Sequence, residues 1–252
     1  MINQSETGGD KQMNYKLGAI GLAPLLIVQA LYVRAVTPRL PEPSGDRSGI
    51  HGSGPLFNLL ILGDSAAAGV GVSTQSEALS GQLVSALGGD FRVSWKLIAQ
   101  TGRRAKDIVA ELERLSPETF DVVVTSIGVN DVTHGTDAEK WINQQARIVE
   151  LLQSKFHAQH IILSSVPPMH LFPALPQPLR WYLGTRARRF NRALEKLAMV
   201  HERCEFVMID FPLDTATMAA DGFHPGIPAY SIWAMHIASI IRSRLGMLAG
   251  RK

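Results

Sequence analysis

Short apolar runs alternate with longer stretches of helical periodicity from residue 57 to the end of the chain. Five apolar runs predict β-strands, at 57–62, 91–99, 121–127, 160–166 and 205–209. Apolar residues spaced three or four positions apart predict the helices, at 76–87, 106–115, 138–156, 179–201 and 229–248. Strands that alternate with helices pair in parallel through right-handed crossovers. The pattern therefore predicts an α/β sandwich in which helices cover both faces of a parallel sheet.

The chain before residue 57 has a different pattern. Residues 1–16 are polar, residues 17–36 are almost entirely apolar, and residues 37–55 are rich in proline, glycine and serine. The last of these compositions predicts a linker, so the folded domain is expected over 56–252.

The apolar segment 17–36 has two interpretations. Its uninterrupted part, 17–33, is close to the lower limit for a membrane-spanning helix of about 20 residues and longer than a signal-peptide core of roughly 7–15. Lys16 and Arg34 flank that part. These features favour a membrane-directed segment, cleaved or retained, in an exported or membrane-anchored protein. The alternative is a cytoplasmic protein in which the segment forms a helix that packs on the domain.

Composition excludes several classes of function. The 252 residues carry a net charge of only +3 and contain no basic stripe interleaved with aromatic residues, so a dedicated nucleic-acid binder is not expected. The single cysteine, Cys204, excludes an internal disulfide and a cysteine-based zinc cluster. The histidines show no metal-ligand spacing, and we expect neither a metal nor an organic cofactor. The sequence does not indicate an oligomeric state.

Candidate chemistry first occurs where the first predicted strand ends, in Gly63-Asp64-Ser65. A serine in this position lies at the start of the next helix, where free backbone N–H groups favour an oxyanion. Small residues follow at 66–69 and leave room for a substrate. Taken alone, the same three residues more often mark a turn or a helix cap.

Three further strand ends and loops carry suitable side chains. Gly102 follows the second strand and Asn130 the third, and both supply N–H groups that can face an oxyanion. Asp221 and His224 lie together in the loop before the last helix, so the carboxylate can orient the imidazole. Each motif alone is also typical of a turn, a cap or a surface residue. Ligands of open α/β sheets bind at the carboxyl ends of the strands, and the combination of four motifs there predicts one site.

With these motifs the sequence resembles the SGNH hydrolase family, also called GDSL-type esterases and lipases. The resemblance covers about 57–248, and the four residues of the family's name correspond to Ser65, Gly102, Asn130 and His224. It implies a flavodoxin-like three-layer α/β/α sandwich with five parallel strands. Ala66 stands where the name GDSL has leucine, and two arginines follow Gly102 where small residues are frequent, which predicts an unusual rim.

The resemblance also implies a mechanism. Ser65 would attack an acyl ester as the nucleophile, with His224 as general base and Asp221 orienting the imidazole. The N–H groups of Ser65, Gly102 and the Asn130 side chain would form the oxyanion hole. The expected activity is hydrolysis of carboxylic esters by a serine esterase. Two alternatives stay open: an acyltransferase that uses the same site, and a membrane-tethered binding module without catalysis.

The segment 167–183 is the candidate for substrate binding. It follows the fourth predicted strand and is rich in proline and apolar residues, among them Leu171, Phe172 and Trp181. These side chains are predicted to wall an acyl pocket, or alternatively to pack the next helix on the sheet. Together with the apolar segment 17–36, which could contact a membrane surface, the pattern favours a small-molecule or lipid-like ester as substrate.

Overall fold

A computed structural model describes residues 18–214 and 216–249, and its centre is a six-stranded sheet. The strands are β1 (Ser48–His51), β2 (Leu56–Gly63), β3 (Arg92–Ala99), β4 (Val122–Ser126), β5 (His160–Ser164) and β6 (Cys204–Val207). They are arranged in the order β1-β3-β2-β4-β5-β6. β2 to β6 pair in parallel, and β1 pairs antiparallel with β3 at one edge.

Helices cover both faces of the sheet, as the sequence predicts. The α-helices are α1 (Ala23–Val36), α2 (Ser65–Ala68), α3 (Leu79–Leu87), α4 (Ala105–Arg114), α5 (Val129–Thr133), α6 (Ala138–Ser154), α7 (Leu179–Met199) and α8 (Ile227–Ala249). α3 packs against α8 on one face, and α4, α6 and α7 pack in sequence on the other. The prediction of a flavodoxin-like three-layer α/β/α sandwich is therefore confirmed.

The core lies on both sides of the central strands. Every residue of β4 and β5 is buried, because β-branched and leucine side chains fill both faces of these strands. In the helices, the apolar positions that the spacing predicts are buried. In α4, for example, Ile108 and Leu112 face the sheet while charged residues face solvent. The sheet is therefore a rigid support for the loops at its carboxyl edge.

The predicted five-stranded sheet requires one correction, since β1 lies inside the predicted linker 37–55. All four residues of β1 are exposed, so the strand has no alternation of apolar and polar residues from which it could be predicted. The residue after the strand, Gly52, makes the following turn with φ +86°, and a side chain there would collide with the backbone of Gly88. β1, the additional strand, is held by main-chain pairing with β3 rather than by burial.

The N-terminal helix α1 packs on the domain along one stripe. Leu26 and Val33 are buried, and Gln29 lies between them on the same face. The Gln29 side chain donates to the carbonyl of Gln177 at 2.6 Å and accepts from the amide of Leu179 at 3.0 Å. α1 is therefore fixed to the start of α7.

The opposite face of α1 is apolar and exposed. Ile27, Val28 and Leu31 are each about 60% exposed. None of the helices in the described ranges is both long enough and apolar enough to cross a membrane. The predicted polar segment 1–16 lies outside the described residues.

Candidate active site

The turn after β2 presents Ser65 at the carboxyl edge of the sheet. β2 ends at Gly63, Asp64 is the N-cap, and Ser65 is the first residue of α2. The carboxylate of Asp64 accepts the amide of Ala66 at 3.2 Å, which closes the turn. Gly63 is required because a side chain there would meet the carbonyl oxygen of Ser126 on the neighbouring strand.

Ser65, His224 and Asp221 form one continuous hydrogen-bonded chain. The Nδ1 atom of His224 lies 2.5 Å from a carboxylate oxygen of Asp221, and its Nε2 atom lies 2.9 Å from the Ser65 hydroxyl. An ionised carboxylate can only accept, so Nδ1 carries the ring proton in the neutral imidazole. Nε2 is then free to accept the proton of the Ser65 hydroxyl.

The loop of Asp221 holds its histidine in place by short-range bonds. The second carboxylate oxygen of Asp221 accepts the backbone amides of Phe223 at 2.9 Å and His224 at 3.0 Å. Burial alone would raise the pKa of Asp221, but the bonds from the ring and amide of His224 outweigh it and hold this pKa below its ordinary value. Asp221 is therefore ionised at neutral pH.

Three neighbouring strand ends bring the other predicted residues towards the same edge. Gly63 at the end of β2 is in register with Ala99 at the end of β3 and with Ser126 at the end of β4. Gly102 follows β3 by three residues, and Asn130 follows β4 by four. The loops of Ser65, Gly102 and Asn130 therefore arise side by side.

The Asn130 and Gly102 loops are also linked directly. The side-chain amide of Asn130 donates to the carbonyl of Arg103 at 3.0 Å, and the carboxylate of Asp131 accepts the amide of Ala105 at 2.9 Å. Gly102 has φ +84°, a conformation that L side chains rarely adopt, and open space where a side chain would lie. The two adjacent polar residues of α5 thus fix the loop that presents Gly102.

Two residues near Ser65 were not identified from sequence. The hydroxyl of Tyr230 in α8 lies 3.0 Å from the carbonyl oxygen of Ala66 and 2.8 Å from that of Val70, at either end of the turn that carries Ser65 (the Ser65 turn). Asp64 is fully buried, and burial raises its pKa to about 6 against the opposing effects of the Ala66 amide and the His224 ring. In the sequence, only its place next to Ser65 distinguishes Asp64. Tyr230 has no such mark, because it is one of many buried residues in α8.

The predicted substrate-binding residues occupy different environments. Phe172 is buried and packs edge-to-face on Phe223, the neighbour of His224, with ring centroids 5.8 Å apart. Leu171, at the end of a 3₁₀ turn (Met169–Leu171), is about half exposed. Trp181 lies on α7 with its ring against Gly18, near α1. Phe172 contacts the His224 loop, whereas Trp181 faces the N-terminal helix.

In the described ranges no three histidine, cysteine, aspartate or glutamate side chains are grouped so that they could hold a metal ion. The chemistry available at the strand ends is that of a polarised hydroxyl, an imidazole and a carboxylate. At the carboxyl edge of a three-layer α/β/α sheet, this set of groups is typical of the enzymes that hydrolyse carboxylic esters.

Comparison with known proteins identifies the family. The sequence model of the GDSL-like lipase/acylhydrolase family matches residues 61–232, more than half of the chain. The chain belongs to this family, which confirms the resemblance to SGNH hydrolases and makes the protein a carboxylic ester hydrolase by class.

Individual relatives are distant. The GDSL-like esterase Rv1075c of Mycobacterium tuberculosis is 25% identical, over 90% of this chain and 78% of the relative. Among solved structures, the psychrotrophic esterase EstA from Pseudoalteromonas has a TM-score of 0.57 at 18% identity, covering 75% of this chain and 98% of that one. An inhibitor-bound aryl esterase of M. smegmatis has the same TM-score at 17% identity, covering 74% and 99%. At these identities the structures support the fold alone.

Proposed function

We propose that the protein is a serine esterase that hydrolyses carboxylic acyl esters through an acyl-enzyme on Ser65. The observation that carries the proposal is the unbroken chain from the Ser65 hydroxyl through His224 to Asp221. Serine is a weak nucleophile at neutral pH, and a general base within hydrogen-bond distance is what activates it.

In the first step, the Ser65 oxygen attacks the carbonyl carbon while its proton moves to Nε2 of His224. The tetrahedral intermediate collapses, the bond to the alcohol oxygen breaks, and the imidazolium returns its proton to that oxygen. Water then attacks the acyl-serine, giving its proton to Nε2. The second collapse releases the carboxylic acid while the imidazolium returns the proton to the Ser65 oxygen, which restores both Ser65 and His224. The Asp221 carboxylate stabilises the imidazolium in both steps.

The oxyanion of each intermediate would be stabilised by the backbone N–H groups of Ser65 and Gly102 and by the side chain of Asn130. The Asn130 amide nitrogen carries two hydrogens, and its bond to Arg103 uses only one. That bond also fixes the amide plane, so the second hydrogen has a defined direction before substrate binds.

For the substrate, we propose an ester with an apolar acyl group. Phe172 supports the His224 loop from within the core, and the half-exposed Leu171 is its neighbour at the surface. Leu171→Ser should move the optimum of an ester series towards shorter acyl chains, while Met199→Ser, at an exposed apolar residue on the far end of α7, should leave it unchanged.

Labelling with a fluorophosphonate tests the nucleophile directly. The probe should add to the peptide that contains Ser65, and the adduct should be absent in Ser65→Ala and present in Ser154→Ala, which removes a surface serine. No adduct on the wild-type protein would contradict the proposal and favour a non-catalytic binding module. An adduct together with slow hydrolysis that added alcohols accelerate would instead indicate acyl transfer.

We also propose that the exposed face of α1 contacts an anionic bilayer surface without crossing it. Its apolar side chains lie opposite the stripe that packs on α7, and the only charged residue of α1 is Arg34 in its last turn. An exposed apolar helix face with a cation at its end is suited to binding at a membrane interface. This would place the protein at a membrane, in accord with the localisation expected from sequence.

Sedimentation with phosphatidylglycerol-containing vesicles tests this surface. Binding should be lost in Ile27→Ser/Leu31→Ser and retained in Met199→Ser/Val200→Ser, which changes apolar residues elsewhere that are even more exposed. A wild-type protein that stays in the supernatant would contradict the proposal. A dimer in solution that the first variant dissociates would assign the face to a second copy of the chain.

A further inference from the structure

A carboxylate from outside the family match holds the loop that presents Gly102. One oxygen of Glu42 accepts two hydrogen bonds from Thr101, from its backbone amide at 2.6 Å and from its hydroxyl at 2.8 Å. Thr101 immediately precedes Gly102, and Glu42 is 59 residues away along the chain. The family match begins only at residue 61.

Glu42 is itself fixed by Arg47. The guanidinium of Arg47 lies 3.0 Å from the second carboxylate oxygen of Glu42 and also donates to the carbonyl of Ala99, the last residue of β3. Burial alone would raise the pKa of Glu42, but the two Thr101 bonds and the Arg47 charge outweigh it and lower this pKa. Glu42 is therefore a charged acceptor at neutral pH, and charge-assisted bonds are the stronger ones.

The segment that carries Glu42 is anchored on its other side near the Ser65 turn. Pro43 packs on Gly69, the C-cap of α2. The backbone of Ser44 donates to the carbonyl of Ser73 at 3.2 Å and accepts the amide of Gln75 at 2.8 Å. Glu42 thus reaches Thr101 from a segment tied to both the Ser65 turn and the edge of β3.

Gly102 consequently lies between two sets of contacts. Glu42 holds Thr101 on one side, and Asn130 and Asp131 hold Arg103 and Ala105 on the other. A glycine has no side chain to restrict its backbone, so the direction of its N–H depends on the residues that flank it.

We infer that Glu42 is a positioning residue that orients the Gly102 amide towards the oxyanion by fixing Thr101. The inference rests on the proposed function and assigns part of the active site to the segment before the family domain. A donor that is present but misdirected stabilises the transition state less than an aligned one, while ground-state binding of the ester hardly depends on it.

The expected effect is on kcat rather than on KM. Glu42→Ala should lower kcat by about 10- to 100-fold, less than the roughly 100- to 1000-fold for removing an oxyanion donor outright. Glu42→Gln keeps an oxygen that can accept both Thr101 bonds, so it should restore kcat to within about threefold of wild type. Thr101→Val removes the hydroxyl bond but keeps the backbone bond to Glu42, so it should lower kcat less than Glu42→Ala does, and the double variant should be no worse than Glu42→Ala.

The control is Glu118→Ala. It removes another carboxylate paired with a residue of β3, Lys96 at 2.6 Å, without any contact to Thr101. All variants are compared in the full chain below their unfolding temperatures by kcat and KM on an ester, and by the rate of Ser65 phosphonylation. Hydrogen exchange of the peptide that contains residues 100–105 is measured in parallel.

Unchanged kcat and phosphonylation in Glu42→Ala would overturn the inference while leaving the esterase proposal intact, and so would equal losses in Glu42→Ala and Glu118→Ala. A wild-type protein that is not phosphonylated at all would instead overturn the proposed function. In that case hydrogen exchange still tests whether Glu42 fixes Thr101. Faster exchange at residues 100–105 in Glu42→Ala, but not in Glu118→Ala, would support this contact, and unchanged exchange would contradict it.

Discussion

Asp64, at the residue scale, combines full burial with incomplete hydrogen bonding. One carboxylate oxygen accepts the Ala66 amide at 3.2 Å, and the Gly128 amide and the His224 ring offset the loss of water only in part. Desolvation therefore dominates and raises the pKa to about 6, whereas in the unfolded chain it is close to 3.8. Between these two values the folded protein binds a proton that the unfolded chain does not.

This difference makes a prediction about stability. The contribution of Asp64 is fully present below about pH 4 and is lost as pH rises through about 6, because the buried carboxylate must then ionise. Asp64→Asn cannot ionise, so the free energy of unfolding of the wild type relative to this variant should fall by about 2 kcal/mol between pH 4 and pH 8. Urea unfolding of both proteins at several pH values measures it. Parallel pH profiles would contradict the account.

Asn130 is the residue whose proposed role separates catalysis from stability most clearly. Asn130→Ala removes a side-chain donor and should lower kcat by roughly 100- to 1000-fold, equivalent to about 2.7–4 kcal/mol of transition-state stabilisation. The loop keeps the bond from Ala105 to Asp131, so the protein should remain folded. Steady-state kinetics and circular dichroism test this, and near-normal turnover would exclude Asn130 from the oxyanion hole.

At the scale of elements, α8 secures the Ser65 turn through Tyr230. Tyr230→Phe removes the hydroxyl but keeps the ring packing, so the carbonyl of Val70 loses a buried donor. The free energy of unfolding should fall by about 1–3 kcal/mol. Tyr32→Phe, at an exposed residue of α1, should have no effect in the same denaturation experiment. Equal stabilities of the two variants would mean that the hydroxyl does not secure the turn.

The elements also show what a sequence can reveal. β2, β4 and β5 are mostly apolar because helices cover the sheet on both faces, and their runs were predicted from the sequence. β1 was missed because its stabilisation is main-chain pairing at an edge, which leaves no apolar pattern.

The same contrast holds at the site. Ser65, Asp221 and His224 follow short local motifs and lie together as predicted, although their catalytic roles stay a prediction. The contacts of Glu42 with Thr101 and of Tyr230 with Ala66 and Val70 join residues far apart in sequence. No local pattern marks such pairs, and only the fold reveals them.

At the scale of the whole molecule, the chain is a family domain with an N-terminal extension built into it. The match spans 61–232, while α1 is fixed to α7, residues 42–47 contact the loop after β3, and β1 completes the sheet. The extension thus contacts the domain both beside the candidate acyl-binding segment and beside the candidate oxyanion loop. We therefore expect it to affect activity as well as location.

The central claim is that Ser65 is the nucleophile of an esterase, and hydrolysis of p-nitrophenyl esters from acetyl to palmitoyl tests it most directly. The account predicts turnover by the wild type with an optimum in acyl length, and its loss in Ser65→Ala while the variant stays folded. Turnover that persists in folded Ser65→Ala, or its absence in the wild type at every chain length, would contradict the claim.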